Sequence, residues 1–230
     1  LIMYNCEDFI IENINFNNLT DAIELLSCNN TIVRNCNFYN ISYYSIYTAG
    51  GCYDNNYTYL EFNDCYDCIN IESAYRNNII NNAFSGSRNG INIINCISGN
   101  NTVFNNTFDH LWNDGIYLSN QANNNTFINN TFREGLDFAI EIDDIGGSCE
   151  SNIIHSNNFR YNNIKLRQVK DNGQYNKWDN GETGNYWTDY PFYDGNYDGI
   201  GDTPFDTYGT ADSQDRYPLT ENLGPILIDE

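Results

Sequence analysis

The sequence is poor in basic residues. Its 230 residues include 10 Lys and Arg against 31 Asp and Glu, which gives a formal net charge of -21 at pH 7. Nucleic acids and anionic membrane surfaces are themselves negatively charged and would repel such a chain. The composition therefore argues against both as partners, and it suits cations, neutral glycans or a crowded outer surface.

Long apolar runs and helical periodicity are also missing. No apolar stretch approaches the ~18–20 residues of a membrane-spanning helix, and apolar residues do not recur at i, i+3, i+4 and i+7. The apolar segments are short and rich in Ile, Phe and Tyr, with Asn and Gly between them. We therefore expect strands and no membrane span. The chain opens with Leu1 and without a signal peptide, so we expect a processed chain or a fragment.

A repeated unit organises most of the chain. Residues 100–118 and 124–142 align without a gap, 24 residues apart. Within the unit, an Ile follows each Phe after seven or eight residues, and a second residue two positions later faces the same side of a strand. Such self-similarity is typical of a solenoid, in which each repeat packs against the next. The Phe column is Phe16, Phe38, Phe62, Phe84, Phe108, Phe132 and Phe159.

Three short strands per repeat predict an all-β parallel β-helix, with about seven coils of 22–27 residues over residues 1–170. Successive coils would stack at ~4.8 Å, so that like residues fall on like residues. We expect an inward amide ladder from the Asn column three residues before Phe. Its members are Asn13, Asn35, Asn81, Asn105 and Asn129.

The two ends of the chain differ from the coils. Residues 1–15 resemble an incomplete first coil, which either further chain or another subunit would cover. The pattern stops after Val169, and residues 171–230 are predicted to form a compact C-terminal cap. The open first coil and the apolar tail of residues 224–228 suggest self-association by strand addition.

Eight Cys in an acidic, Lys-poor chain indicate an oxidising, extracellular compartment. Cys6, Cys28 and Cys52 fall in one column on consecutive coils, within disulfide range of their neighbours, and at most two of them can pair with each other. Cys65 and Cys68 form a CxxC without a second CxxC or a nearby His, so a metal role for these two is weakly supported.

N-glycosylation sequons are dense, although an Asn-rich chain produces them by accident. The expected ladder positions Asn105 and Asn129 are discounted, and the turn positions Asn100 and Asn124 are favoured. The candidate acceptors are Asn18, Asn29, Asn40, Asn56, Asn100 and Asn124.

Residues 194–202 of the cap read DGNYDGIGD. Oxygen side chains at alternate positions, followed by Gly at the sixth, are what a Ca²⁺ loop needs. Position twelve is Phe205 rather than Glu, so the loop is not a standard EF-hand, and a Gly/Asp-rich turn without an ion is the alternative. The predicted ligands of a structural Ca²⁺ are Asp194, Asn196, Asp198, the Ile200 carbonyl and Asp202.

Three segments of the cap, NKWDNGETGNYWTDY, DGNYDGIGDTPF and DRYPL, resemble the C-terminal part of NosD-like β-helix proteins, a type frequent on archaeal cell surfaces. The preceding NNTF coils resemble the same family. This resemblance implies a right-handed parallel β-helix of the carbohydrate-binding and sugar-hydrolase type. A copper role transfers poorly, because Met3, His110 and His155 form no cluster.

The outward face of one predicted sheet is where chemistry would occur. Its two rows contain neither Lys nor Arg, so the basic residue that a polyuronate lyase needs is absent. Glu141 and Asp143, with Asp114 from a neighbouring coil, could serve a glycosidase. The alternative is a solvated acidic face without catalysis.

We therefore expect a non-catalytic extracellular β-helix with a structural or adhesive role, stabilised by disulfides and Ca²⁺. Its partners would be further copies of itself or cell-surface glycans. The rival hypotheses are a carbohydrate-active enzyme and a glycan-binding module that uses Tyr47 and Tyr117. Aromatic residues of segment 42–59 could stack on sugars or pack on neighbouring coils, and the sequence leaves both open.

Overall fold

The computed structural model describes residues 1–163, 167–191 and 193–224 of the chain. These residues contain 25 β-strands and no helix, and hence no helix that could cross a membrane. All strand pairs except β24 (Phe205–Asp206) with β25 (Gln214–Asp215) are parallel. The predicted all-β parallel β-helix is confirmed, with about eight turns. Its right-handed sense stays a prediction.

Each coil up to β21 contributes one strand to each of three sheets, so strands three apart in the chain are neighbours; in the last coil β21 pairs with β23. Sheet 1 contains β1 (Ile2–Tyr4), β4 (Ile23–Leu26), β7 (Tyr44–Ala49), β10 (Asp67–Glu72), β13 (Asn89–Ile94), β16 (Ile116–Ser119), β19 (Ile140–Ile142) and β22 (Val169–Asp171). Sheet 2 contains β2 (Ile10–Glu12), β5 (Ile32–Arg34), β8 (Asn56–Thr58), β11 (Asn78–Ile80), β14 (Thr102–Phe104), β17 (Thr126–Ile128) and β20 (Ile153–His155). Sheet 3 contains β3 (Asn15–Asn17), β6 (Asn37–Tyr39), β9 (Glu61–Asn63), β12 (Ala83–Ser85), β15 (Thr107–Asp109), β18 (Thr131–Arg133), β21 (Asn158–Arg160) and β23 (Tyr186–Trp187).

The Phe column forms a continuous stack through the core. Successive ring centroids lie 4.5–5.2 Å apart from Phe16 to Phe159. The small residue that precedes each inward Ile makes room for these rings. A Cβ built on Gly90 would lie 2.7 Å from the ring of Phe108, and one on Gly115 would lie 2.8 Å from the ring of Phe132. The stack therefore sets the size of the residues beside it.

Buried asparagines line two of the bends, and the inward ladder lies one residue after the predicted column. Asn81, Asn105 and Asn129 have φ values of 54–60° and form a half-buried left-handed turn. The predicted coil-to-coil amide bond does occur there, since Asn105 Nδ2 donates to Asn81 Oδ1 at 2.8 Å, but outside the core. The next residue points inward and forms the ladder. Asn tolerates the left-handed region better than most residues. In each pair of consecutive Asn, the first residue therefore suits the turn and the second forms the ladder. Asn13 and Asn35 also have positive φ values, of 59° and 51°, but Ile14 and Cys36 follow them, so the inward ladder does not extend to these coils.

The two ladders satisfy backbone groups that a bend leaves without a strand partner. Asn106 Oδ1 accepts the backbone N–H of Asn82 at 2.9 Å and its side-chain amide at 3.0 Å. Asn106 Nδ2 donates to the carbonyl of Ile79 at 2.9 Å. Buried backbone groups need such partners. One ladder contains Asn82, Asn106, Asn130, Asn157 and Asn185, and the other contains Asn55, Asn77, Asn101, Asn125, Asn152 and Asn176.

The cap continues the core before it departs from it. Trp187 stacks on Phe159 with a centroid distance of 4.3 Å, and Phe205 stacks on Trp187 at 4.3 Å. The aromatic column thus extends beyond residue 170, where the sequence places the boundary between solenoid and cap. That boundary stays a prediction.

Three Asp side chains pair with the Trp and Arg residues of the cap motif. Buried Asp171 accepts from Trp178 Nε1 at 2.9 Å, and buried Asp215 accepts from Trp187 Nε1 at 2.8 Å. Asp179 forms a salt bridge of 2.6 Å with Arg216. Each indole N–H inside the core needs an acceptor, so the Trp and Asp residues of the motif are a structural set.

The first coil leaves apolar side chains exposed, among them Ile2, Phe9 and Ile10. Of the apolar tail, residues 225–228 lie outside the described residues. Self-association through these two segments stays a prediction.

Asn106→Ala should test the ladder. The substitution leaves the backbone N–H of Asn82 and the carbonyl of Ile79 without their partners, and each unsatisfied buried group costs ~1–3 kcal/mol. We expect the free energy of unfolding, measured with urea, to fall by about 3 kcal/mol or more. The control Asn63→Ala removes an exposed amide from β9 and should change it by ~0.5 kcal/mol or less. Equal effects of the two substitutions would contradict the assignment.

Candidate functional site

The outward face of sheet 1 carries a continuous row of polar side chains, which we call the central row. Strand pairing places its members on consecutive coils at ~4.8 Å intervals. Tyr47 and Tyr117, both predicted glycan-binding residues, lie in this row, separated by two Asn. The row is Glu24, Tyr47, Asn70, Asn92, Tyr117, Glu141 and Lys170.

Two amides at the centre of the row have incomplete hydrogen bonding. Asn92 Nδ2 donates to Asn70 Oδ1 at 2.8 Å. Asn92 Oδ1 and Asn70 Nδ2 have no partner within the described protein, although each residue is only 5% exposed. Burying an amide atom without a hydrogen-bond partner costs free energy. Both atoms are themselves shielded from solvent, so a bound group pairs with them only after the two side chains rotate outwards.

Tyrosines form one end of the face. Tyr47 donates its hydroxyl to Glu72 Oε2 at 2.6 Å, and its ring stacks on Tyr44 with a centroid distance of 5.0 Å. Partial burial, with the hydrogen bond to Glu72, raises the pKa of Tyr47 to about 12. Tyr57, from the same Tyr-rich segment, instead lies fully buried against Thr48. The segment thus supplies both surface and core aromatics.

The other end of the face is acidic. Asp114 is only 3% exposed, and its Oδ1 has no donor among the described residues. Burial, followed by the charges of Glu141 and Asp137, raises the pKa of Asp114 to about 8. When Asp114 is protonated, its hydroxyl can donate to Glu141, and Oδ1 is then no longer without a partner. Lys170, one coil further, is 2.6 Å from Glu141 Oε1.

The predicted catalytic candidates come together around one tyrosine, and a catalytic role for them stays a prediction. Asp114, Glu141 and Asp143 surround Tyr117, and their charges, after burial itself, raise the pKa of its hydroxyl. Glu141 is neutralised by Lys170, a row member that the sequence analysis did not include. Asp114 is buried too deeply to touch a glycosidic oxygen, as a general acid must. The arrangement suits structure and recognition better than bond cleavage.

Other residues at the edge of this face escaped the sequence analysis. Tyr66, Arg88 and Trp112 occupy consecutive coils of the turn that leads into sheet 1, and Trp112 is exposed. A Trp four residues after a column Phe, at a turn position, was the available signal.

The Ca²⁺-type loop is closed by its own hydrogen bonds. Asp194 Oδ2 accepts from the N–H of Gly199 at 2.9 Å, and Asp198 Oδ1 accepts from the N–H of Ile200 at 2.9 Å. Asp202 Oδ2 accepts from the N–H of Gly195 at 2.9 Å. Within the described ranges, no group of three or more His, Cys, Asp or Glu side chains could hold a metal. The Ca²⁺ prediction is therefore not confirmed.

All eight cysteines are free thiols in the structure. Cys28 and Cys52 are buried neighbours, and the Cys28 N–H donates to Cys52 Sγ at 3.1 Å, while Cys6 is half-buried. No disulfide joins the three, and their oxidation stays a prediction.

The sequon asparagines lie mostly at turns. Asn18, Asn40, Asn100 and Asn124 are exposed, with φ values of 51–56°, whereas Asn29 and Asn56 are half-buried. Asn105 and Asn129 belong to the turn column, so burial in a ladder is no reason to discount them. Attachment of sugar stays a prediction.

The family model described as periplasmic copper-binding protein (NosD) matches residues 1–197. The chain belongs to the NosD family. Membership indicates a periplasmic or, in the broad sense, extracellular β-helix protein. No curated protein matches this NosD-family chain.

The His and Met residues of this NosD-family chain do not group as copper ligands, and its Cys neighbours, such as Cys28 with Cys52, belong to no group of three or more His, Cys, Asp or Glu among the described residues. Copper sites use grouped Cys, His or Met. His110 is instead 2.6 Å from Asp109 and 2.9 Å from Glu134, and His155 bonds to Ser156. The only Met, Met3, lies in the first coil. We therefore derive no step through copper.

Asp114→Asn should reveal the proton on Asp114. A carboxyl whose pKa is raised by folding contributes stability that is complete below its unfolded pKa and is lost as the pH rises through about 8. Between pH 5 and 8, the free energy of unfolding of the wild type should therefore fall relative to Asp114→Asn, by up to about 1.4 kcal/mol per pH unit. Urea titrations at each pH measure this difference.

The matched control is Asp144→Asn, an exposed acid that follows the end of β19, at the opposite edge of sheet 1. Its difference from the wild type should stay nearly constant with pH. A constant difference for Asp114→Asn as well would show that Asp114 is ionised throughout.

Proposed function

We propose that this protein is a non-catalytic, extracellular glycan-binding β-helix with an adhesive role, and that the central row on sheet 1 is its binding face. The half-exposed rings of Tyr47 and Tyr117, on either side of Asn70 and Asn92, are the observation that supports this most directly. A sugar hydroxyl both donates and accepts a hydrogen bond, so a polyol can complete both amides once their side chains rotate outwards. Membership of a periplasmic family agrees with a ligand outside the cytoplasm.

The geometry of the row favours a linear ligand. Tyr47 and Tyr117 lie on either side of the two amides, three coils apart. Tyrosine offers an apolar ring and a polar hydroxyl at a low cost in conformational entropy. A chain of sugar rings that runs parallel to the helix axis would meet Tyr47, Asn70, Asn92 and Tyr117 in turn.

Binding without turnover is favoured by the state of the carboxyl groups. A glycosidase needs one exposed acid and one free carboxylate on either side of the scissile bond. Asp114 is buried, and Glu141 is paired with Lys170. Turnover of a polysaccharide that is abolished by Glu141→Gln or Asp143→Asn would overturn the non-catalytic assignment.

Asn92→Ala and Tyr117→Ala should each weaken binding to a soluble polysaccharide, measured as retardation in affinity electrophoresis. Loss of one hydrogen-bonding or ring contact of ~1–1.5 kcal/mol corresponds to about tenfold in Kd. Tyr39→Ala is the control, because Tyr39 is exposed on sheet 3, away from the central row. Binding that survives both substitutions, or that falls equally in the control, would overturn the assignment of the face.

We also propose that a Ca²⁺ ion stabilises the cap through Asp194, Asn196, Asp198, the Ile200 carbonyl and Asp202. The support is the alternate spacing of oxygen side chains and the φ of +85° at Gly199, which lets the loop turn as a Ca²⁺ loop does. The hydrogen bonds from backbone N–H groups hold these side chains in one compact loop.

Addition of Ca²⁺ should raise the Tm, because a ligand at about 100 times its Kd stabilises by about 2.7 kcal/mol. Asp198→Asn should abolish the rise, whereas the exposed Asp212→Asn should keep it. Equal Tm values with Ca²⁺ and with a chelator would contradict the Ca²⁺ proposal.

A further inference from the structure

Trp112 is an exposed aromatic side chain held in a fixed orientation. Its relative exposure is 52%, while the two other tryptophans, Trp178 and Trp187, are fully buried. Its indole Nε1 donates to the backbone carbonyl of Gly86, on the preceding coil, at 3.0 Å. The hydrogen bond fixes the edge of the ring and leaves its apolar face open to solvent and to a ligand.

The residues beside Trp112 on the preceding coils form a rigid rim. Backbone hydrogen bonds of the turn place Arg88 beside Tyr66, and Trp112 beside Arg88. The Arg88 guanidinium lies 4.4 Å from the centroid of the Tyr66 ring and 3.3 Å from Asp67 Oδ1. Arg88 is therefore engaged on both sides, and it holds the Tyr66 ring in place.

The rim borders the binding face directly. The residues that follow Tyr66, Arg88 and Trp112 in the chain are Asp67, Asn89 and Asn113. Their side chains are linked from coil to coil, by Asn89 Nδ2 to Asp67 Oδ1 at 2.9 Å and by Asn113 Nδ2 to Asn89 Oδ1 at 2.7 Å. A polar strip thus lies between the exposed aromatic rim and the central row.

We infer that Trp112 is the sugar-stacking platform of this face, and that its ligand is an uncharged polysaccharide. The inference rests on the proposed function. A pyranose ring has an apolar face and a hydroxyl edge, which match an exposed indole beside a strip of amides. With the sugar face on Trp112, the hydroxyl edge points towards Asn113 and the central row.

Charge decides the class of polysaccharide. The two cations at this face, Arg88 and Lys170, are already paired with Asp67 and Glu141. The remaining ionisable groups around the face, Glu72, Asp114, Asp137 and Asp143, are acids, and the whole chain has a net charge of -21. A uronate or a sulfated sugar would meet repulsion without a free cation. Neutral hexose or pentose polymers meet no such barrier.

The test is tryptophan emission during titration with a neutral soluble polysaccharide, alongside affinity electrophoresis. Because Trp178 and Trp187 are fully buried, a blue shift on binding should come from Trp112 and should be absent in Trp112→Phe. Trp112→Ala should weaken binding about tenfold, as expected for the loss of a stacking contact. Trp112→Phe, which keeps an aromatic ring, should stay within about threefold of the wild type.

The variants separate the inference from the proposed function. If the wild type binds, Asn92→Ala weakens binding and Trp112→Ala does not, the platform is overturned and the proposed function stands. If the wild type binds neither neutral polysaccharides nor a polyuronate, both are overturned. Tighter binding to a polyuronate than to neutral polymers would overturn the ligand class alone. Tyr39→Ala, which should bind as the wild type does, controls for loss of an aromatic ring elsewhere on the surface.

Discussion

The coil-to-coil amide hydrogen bond of the buried asparagines is the interaction on which the rest of the structure depends. A sheet can satisfy its own backbone, whereas a bend leaves single groups, such as the N–H of Asn82 and the carbonyl of Ile79, without a backbone partner. Ladder asparagines satisfy them: the side-chain oxygen accepts the N–H on the coil before, and in most of them the side-chain N–H donates to a nearby carbonyl, as in Asn106. A coil that slipped by one residue would bury unpaired polar groups at its bends, so the ladders fix the register.

A fixed register determines what lies on the surface. The register that stacks Phe on Phe in the core also aligns the outward side chains of neighbouring coils. Tyr47, Asn70, Asn92 and Tyr117 therefore form a row although they are distant in sequence. The same register places Arg88 against Tyr66, and Trp112 beside Arg88. Preorganisation of this kind lowers the entropic cost of binding an extended ligand. The face is rigid because the core beneath it is periodic.

The sequence predicts the periodic part of this molecule well, because period and packing are linked. Phe108 and Ile116 repeat at the coil length, and both are buried as expected. The ladder was placed on Asn105 rather than Asn106, because a pair of Asn residues carries no signal for which member adopts positive φ. The site was predicted only in part: Tyr117 and Glu141 follow from alternation along a strand, whereas the pairing of Glu141 with Lys170 depends on the irregular segment after residue 142. Exposure of Trp112 depends on the turn, which has no strict period.

The residues that define the family explain its fold better than its ligand. Trp178 and Trp187 of the cap motif are held by Asp171 and Asp215 inside the core, and the Asn and Phe of the repeats are buried. None of these side chains lies on the outward face. Two chains can therefore share the β-helix and cap while their surface rows differ completely. The copper described for the family has no matching donor set among the described residues here, and the outward rows are what must decide the ligand. In this chain the outward face of sheet 1 offers amides, tyrosines and a cation that is paired with an acid. The turn beside it adds one fixed indole and a second paired cation. This combination favours the proposed uncharged sugar over a metal ion or a polyanion.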